Sequence, residues 1–148
     1  MNPVIRSYEP TDLDELLDVW MSASEVAHPF LSPEFLSQER ENIATIYLPN
    51  AETWVYEVDG TVVGFLALLG NEVGGIFVAP THQKRGIGRQ LMDHAVSLRG
   101  NLELEVFVDN SIGRGFYQRY GFVSLEQKPH PPSGHPILRL RYAPPAPA

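Results

Sequence analysis

Apolar positions mark out the elements of this chain before any motif does. Leu13, Leu16, Leu17 and Trp20 recur at helical spacing and predict an amphipathic helix running to Ala23 or beyond. Pro10 and Thr11 ahead of it predict a turn and an N-cap, with Asp12 and Asp14 favourable in the first turn. Val4 to Tyr8 reads as a short strand before this helix. After a break at His28-Pro29-Phe30-Leu31, Ser32 caps a second helix with Pro33 at its first position. Phe35, Leu36, Ile43, Ile46 and Tyr47 supply its buried side, and Pro49-Asn50 ends it. Thr53 to Val58 is rich in β-formers, and Asp59-Gly60 is a strong hairpin signal. The return strand, Thr61 to Leu69, is apolar nearly throughout, which predicts a central strand covered on both faces. Gly70-Asn71 turns the chain into Glu72 to Val78, where Gly74-Gly75 predict a bulge at which a sheet can splay to admit a ligand. A helix with Ile87, Leu91, Ala95 and Leu98 on one face follows, then an alternating strand from Leu102 to Val108. Asp109-Asn110-Ser111 caps a short helix carrying Phe116, Tyr117 and Tyr120, and Gly121 ends it. Phe122 to Leu125 is a further strand, and a loop from Gln127 to Pro136 leads to a last one with Leu138, Leu140 and Tyr142 alternating. The order β-α-α-β-β-β-α-β-α-β-β predicts an α/β (α+β) domain over residues 1–142, a mixed sheet with helices on its faces. Residues 143–148, Ala-Pro-Pro-Ala-Pro-Ala, predict a disordered tail.

Composition narrows the chemistry. The net charge of −7 argues against a nucleic-acid or anionic-membrane binder and permits a cationic substrate. With no cysteine, disulfides, thiolate zinc sites and cysteine nucleophiles are excluded. The first residues lack the apolar core of a secretion signal and no apolar run reaches membrane-spanning length, so the expectation is cytoplasmic. His130 and His135 sit on a Pro-rich loop with no Asp, Glu or Cys beside them, and no metal site is expected.

The candidate chemistry begins where the apolar run Ile76-Phe77-Val78 stops at Pro80. A polar loop, Gln83-Lys84-Arg85, then enters Gly86 and Gly88 at the start of a helix. Unpaired N–H groups and the helix dipole there favour an anion such as phosphate. Leu91 stands where a dinucleotide fingerprint needs its third glycine, and Arg89-Gln90 stand where a P-loop needs Lys-Ser/Thr. Instead, Gln83-x-x-Gly86-x-Gly88 after a strand resembles the coenzyme A signature of the GNAT acetyltransferases. Asn110-(x)5-Phe116-Tyr117-(x)3-Gly121-Phe122 resembles the family's second hallmark, and the Asp59-Gly60 hairpin and element order match over residues 4 to 142. Gly113 departs from the alanine the family often carries.

The resemblance implies a GNAT fold: a mixed sheet of about seven strands splayed between the fourth and fifth, flanked by four helices. It implies acetyl-CoA as cosubstrate, with Gln83, Lys84, Arg85, Gly86, Ile87, Gly88 and Arg89 at its pyrophosphate and Asn110 and Tyr117 nearby. Its pantetheine arm would pair with the strand edge beside Phe77 and Val78, and the Val78 N–H would polarise the thioester carbonyl. Tyr117 is the expected general acid. For the base, Leu104-Glu105-Val106 resembles the Leu-Glu-Val of the ribosomal-protein N-terminal acetyltransferases. Glu72 lies two residues before Gly74, where many relatives keep a carboxylate, and a base acting through water is open at both sites. His28 and Phe30 are candidates for lining the acceptor site. The expected activity is transfer of acetyl to a primary amine, on a small molecule or a protein, by direct attack in a ternary complex. A sensor that binds acyl-CoA without turnover is the alternative. The chain is expected to be a monomer or a homodimer, with the C-terminal strand a candidate for pairing across a dimer.

Overall fold

The computed structural model describes residues 3–145. Of the expected Pro/Ala tail, residues 146–148 lie outside the described residues. Seven strands form one sheet in the order β1-β2-β3-β4-β5-β7-β6. They are β1 (Val4–Ser7), β2 (Glu52–Val58), β3 (Thr61–Leu69), β4 (Glu72–Val78), β5 (Leu102–Phe107), β6 (Val123–Lys128) and β7 (Ile137–Tyr142). Four helices flank it: α1 (Leu13–Ala27), α2 (Pro33–Asn42), α3 (Ile87–Arg99) and α4 (Ser111–Tyr120). Every neighbouring pair is antiparallel except β4 and β5, as a helical crossover requires.

Asp59 and Gly60 turn between β2 and β3 with φ of +51° and +82°, the two left-handed positions a two-residue hairpin needs. β3 is buried along most of its length between β2 and β4. Against it, Gly75 pairs with Ala67 while Val73 pairs with Leu68, so Gly74 is the extra residue of a bulge. β4 and β5 pair only at Glu72–Glu103 and Val73–Leu104 and then part. That parting is the splay, and helices pack on both faces of the sheet around it. On one face, α3 buries Ile87, Leu91, Met92 and Ala95 against Leu66, Leu104 and Val106 of the sheet. On the other, α1 buries Leu16, Leu17, Val19 and Trp20 against Val55, Val62 and Phe65.

Four local expectations are corrected. Thr11 is not the cap of α1. Pro10–Asp12 forms a 3-10 turn, and the Asp12 carboxylate accepts the Glu9 N–H at 2.8 Å and two bonds from Arg6 at 2.9 Å. Ile46 and Tyr47 are exposed although Ile43 is buried. Ser32 does cap α2, but Ile43–Tyr47 continues it as a π turn, whose extra residue slips the phase of the apolar face. Leu98 is exposed in the last turn of α3, beyond the buried stretch that ends at Ala95, and Met92 fills the core instead. β7 lies between β5 and β6, so the C-terminal strand has no free edge for pairing across a dimer. No helix is long and apolar enough to cross a membrane among the described residues.

Candidate active site

A cleft of about 910 Å³ enters the sheet where β4 and β5 part. Phe77 and Val78 of β4 line one wall, Glu105 and Phe107 of β5 the other, and Gly74 and Gly75 lie along it. Beyond Val73 the β4 edge that faces β5 has no strand partner, so an extended arm can pair with it.

One end of the cleft is built for an anion. Lys84 and Gly86 take left-handed φ values of +64° and +82°, which curl the loop ahead of α3. The first backbone bond of α3 runs from Gln90 N–H to Gly86 carbonyl at 3.0 Å, leaving the N–H groups of Ile87, Gly88 and Arg89 without a helical acceptor. A Cβ on Gly88 would come 3.3 Å from the Phe116 ring, so glycine lets the start of α3 sit against α4. Gln83 fastens the loop by donating from Nε2 to the Val78 carbonyl at 3.0 Å. Lys84 and Arg89 line the cleft, whereas Arg85 does not, and the Arg89 guanidinium lies 5.6 Å over the Tyr120 ring. Arg119, which the motif reading passed over, lines this end too. Its helical spacing from Ile112 and Phe116 was the available signal. Free amides, two glycines and three cationic side chains fit the pyrophosphate of coenzyme A.

Tyr117 lines the middle of the cleft, its ring 5.5 Å from Phe116 and 5.6 Å from Phe122. Burial raises its hydroxyl above the usual tyrosine range, so it keeps its proton at neutral pH. Asn110 caps α4, its Oδ1 accepting the Gly113 N–H at 2.9 Å. With Oδ1 so engaged, Nδ2 faces His28 and donates to its Nε2 at 3.1 Å. His28 must therefore be neutral with its proton on Nδ1, and burial lowers its pKa to about 4, in agreement. The His28 ring packs edge-on against Phe107 and Phe30, at 5.2 and 5.8 Å. His28 and Phe107 line the cleft; Phe30 supports them from behind. His130, on the loop before β7, lines it as well and stands 5.4 Å from Phe107.

The two carboxylates singled out by sequence share one cation. Arg139 of β7 reaches across β5 to hold Glu72 through two bonds, at 2.6 and 2.9 Å, and approaches Glu105 at 3.4 Å. Glu105 also pairs with Lys128 at 2.7 Å. Glu105 lines the cleft and Glu72 does not. Sequence reasoning missed Arg139, because its place opposite Glu105 depends on β7 pairing with β5 rather than on any local pattern.

Comparison with known proteins agrees with this fold. A family profile described as "Acetyltransferase (GNAT) domain" matches residues 49–124. The peptidyl-lysine N-acetyltransferase YiaC of Escherichia coli is 33% identical over 120 residues, 80% of this chain and 82% of that protein. The peptidyl-lysine N-acetyltransferase YjaB of Escherichia coli is 31% identical over 141 residues, 93% of this chain and 95% of that one. The solution structure of apo YjaB superposes with a TM-score of 0.86 at 29% identity, covering 96% of this chain and 98% of its own. The PaiA N-acetyltransferase of Thermoplasma acidophilum, solved in complex with coenzyme A, shares the fold at a TM-score of 0.77 and 20% identity, covering 96% and 100%.

Proposed function

This chain belongs to the GNAT acetyltransferase family, and from that premise we propose that it acetylates the side-chain amine of a lysine in a peptide or protein, drawing the acetyl group from acetyl-CoA. The observation that carries the reading is one continuous cleft. It runs from the amide cradle at α3, past Tyr117, to the wall of His28, Phe107 and Glu105. The named activity of the two relatives supplies the lysine acceptor, and an acetyltransferase family is the reason to prefer turnover over a binding module.

When bound, acetyl-CoA supplies the thioester to be cleaved. The amides of Ile87, Gly88 and Arg89, with Lys84 and Arg119, hold its diphosphate. The free edge of β4 at Phe77 and Val78 aligns the arm. A free lysine amine, which loses its proton only near pH ~10.4, costs about 4.6 kcal/mol to deprotonate at pH 7, so a proton acceptor is needed. Glu105 takes that role through a water, supported by its place in the cleft wall, while Glu72 serves by holding Arg139. The neutral amine attacks the thioester carbon directly, since the chain has no cysteine to carry the acyl group. Tyr117 gives its proton to the departing sulfur and regains one when the acetylated nitrogen sheds its second proton to become the neutral amide.

The test is thiol release from acetyl-CoA with a lysine peptide as acceptor. Tyr117→Phe should lower kcat about 100-fold while calorimetric coenzyme affinity stays put. Coenzyme binding with no turnover on any lysine peptide would overturn the reading, and full activity in Glu105→Gln would remove that residue from the base role.

A further inference from the structure

On the α2 side the cleft is lined by Glu39 and Tyr47, eight residues apart. In a straight α-helix they would be separated by about 12 Å along the axis and face directions roughly 80° apart. The π turn at Ile43–Tyr47 brings the Tyr47 hydroxyl back to donate to Glu39 Oε1 at 3.1 Å. Asn42 donates from Nδ2 to the same oxygen at 3.2 Å, and its orientation is set by Gln38, whose Nε2 donates to Asn42 Oδ1 at 3.0 Å. Both donors to Glu39 are neutral. Partial desolvation of its hydroxyl, although the residue is exposed, together with the Glu39 carboxylate, raises Tyr47 and keeps it protonated. The carboxylate is thus held in place without its charge being offset. Among the described residues no cationic side chain pairs with it, and Oε2 accepts no hydrogen bond. The other carboxylate in the cleft wall, Glu105, already carries Lys128 and Arg139. The cleft therefore has an uncompensated negative charge on its α2 side, opposite in sign to the Lys84, Arg89 and Arg119 end.

We propose that Glu39 is a specificity residue that receives a second positive charge on the acceptor, next to the amine being acetylated. The preferred substrate is then a lysine with a basic neighbour, the neighbour meeting Glu39 while the lysine amine enters between β4 and β5. This rests on the lysine acetyltransferase reading, and the test separates the two. Two peptides alike except for an arginine or a glycine flanking the lysine are compared by thiol release.

The arginine peptide should be preferred by the native enzyme, chiefly through KM. In Glu39→Gln the ratio of kcat/KM for the two peptides should fall about fivefold, the scale of one partly exposed ion pair. Glu39→Lys should invert the preference toward a peptide with glutamate in the flanking place, a rescue that loss of packing would not produce. An unchanged ratio in Glu39→Gln, or equal use of both peptides by the native enzyme, overturns the assignment. Turnover of neither peptide overturns the lysine reading itself, and this inference with it.

Discussion

Asn110 satisfies two partners with one amide. Its oxygen closes the first turn of α4 and its nitrogen reaches His28, 82 residues away at the end of α1. Gly113 makes room for this: a Cβ there would stand 2.5 Å from Asn110 Nδ2. Glycine at this position thus accompanies a specific link between the His28 wall of the cleft and the helix that carries Tyr117. The link requires a neutral His28, and a pH dependence follows. An unfolded histidine takes its proton near pH 6.5, while folded His28 takes it only near 4. Between those values the unfolded chain binds more protons, so stability present above 6.5 is lost as pH falls. His28 should account for about 2 kcal/mol of lost stability by about pH 5. Urea denaturation at neutral and acid pH measures it, and His28→Gln, which keeps an acceptor but cannot titrate, should remove that part of the slope.

At the scale of elements, the position of the loop that enters α3, proposed above to hold coenzyme, depends on how closely α3 lies on the sheet. Gly64 in β3 sets that distance: a Cβ there would meet the Phe77 carbonyl at 3.1 Å and the Ile87 and Leu91 side chains at 3.4 Å. The carbonyl belongs to the backbone of β4 and cannot turn aside. Gly64→Ala should therefore lift α3 or shift β4, costing about 1–3 kcal/mol by overpacking and weakening coenzyme binding in calorimetry. Gly60→Ala is the contrast. Its left-handed φ of +82° makes the substitution strained, but no atom lies within 4 Å of the added Cβ. It should lower stability by about 1 kcal/mol and leave coenzyme affinity unchanged.

Over the whole molecule, two half-sheets, β1 to β4 and β5-β7-β6, meet at two residue pairs. Arg139 reinforces that narrow junction. It binds Glu72 on the first half and Glu103 on the second, at 2.6 and 2.9 Å, with Glu105 alongside. Without the guanidinium, three carboxylates would face one another at the root of the splay. Arg139→Met should cost about 2 kcal/mol in urea denaturation, the range for hydrogen bonds between charged groups. Part of the loss should return at high salt, which screens the repulsion. KM for acetyl-CoA should rise in the same variant, because the width of the splay sets how the arm meets β4.

Short-range chemistry was legible in the residues alone. A hairpin at Asp59-Gly60, a bulge at Gly74 and an amide cap at Asn110 each follow from what one or two residues allow their own backbone to do. The free amides at Ile87-Gly88-Arg89 are of the same kind, since a helix start exposes its amides wherever it occurs. Apolar periodicity likewise placed α1 and β3 in the core, because burial is recorded in residue type. It misassigned Ile46, Tyr47 and Leu98, since periodicity carries no notice of a π turn or of where a sheet ends. Two pairs near the splay, Asn110 with His28 and Arg139 with Glu72, join residues 82 and 67 positions apart. Only strand order and helix packing bring such residues together, because a side chain's type states which partners it can accept and the folded path of the chain decides which of them lies within about 3 Å.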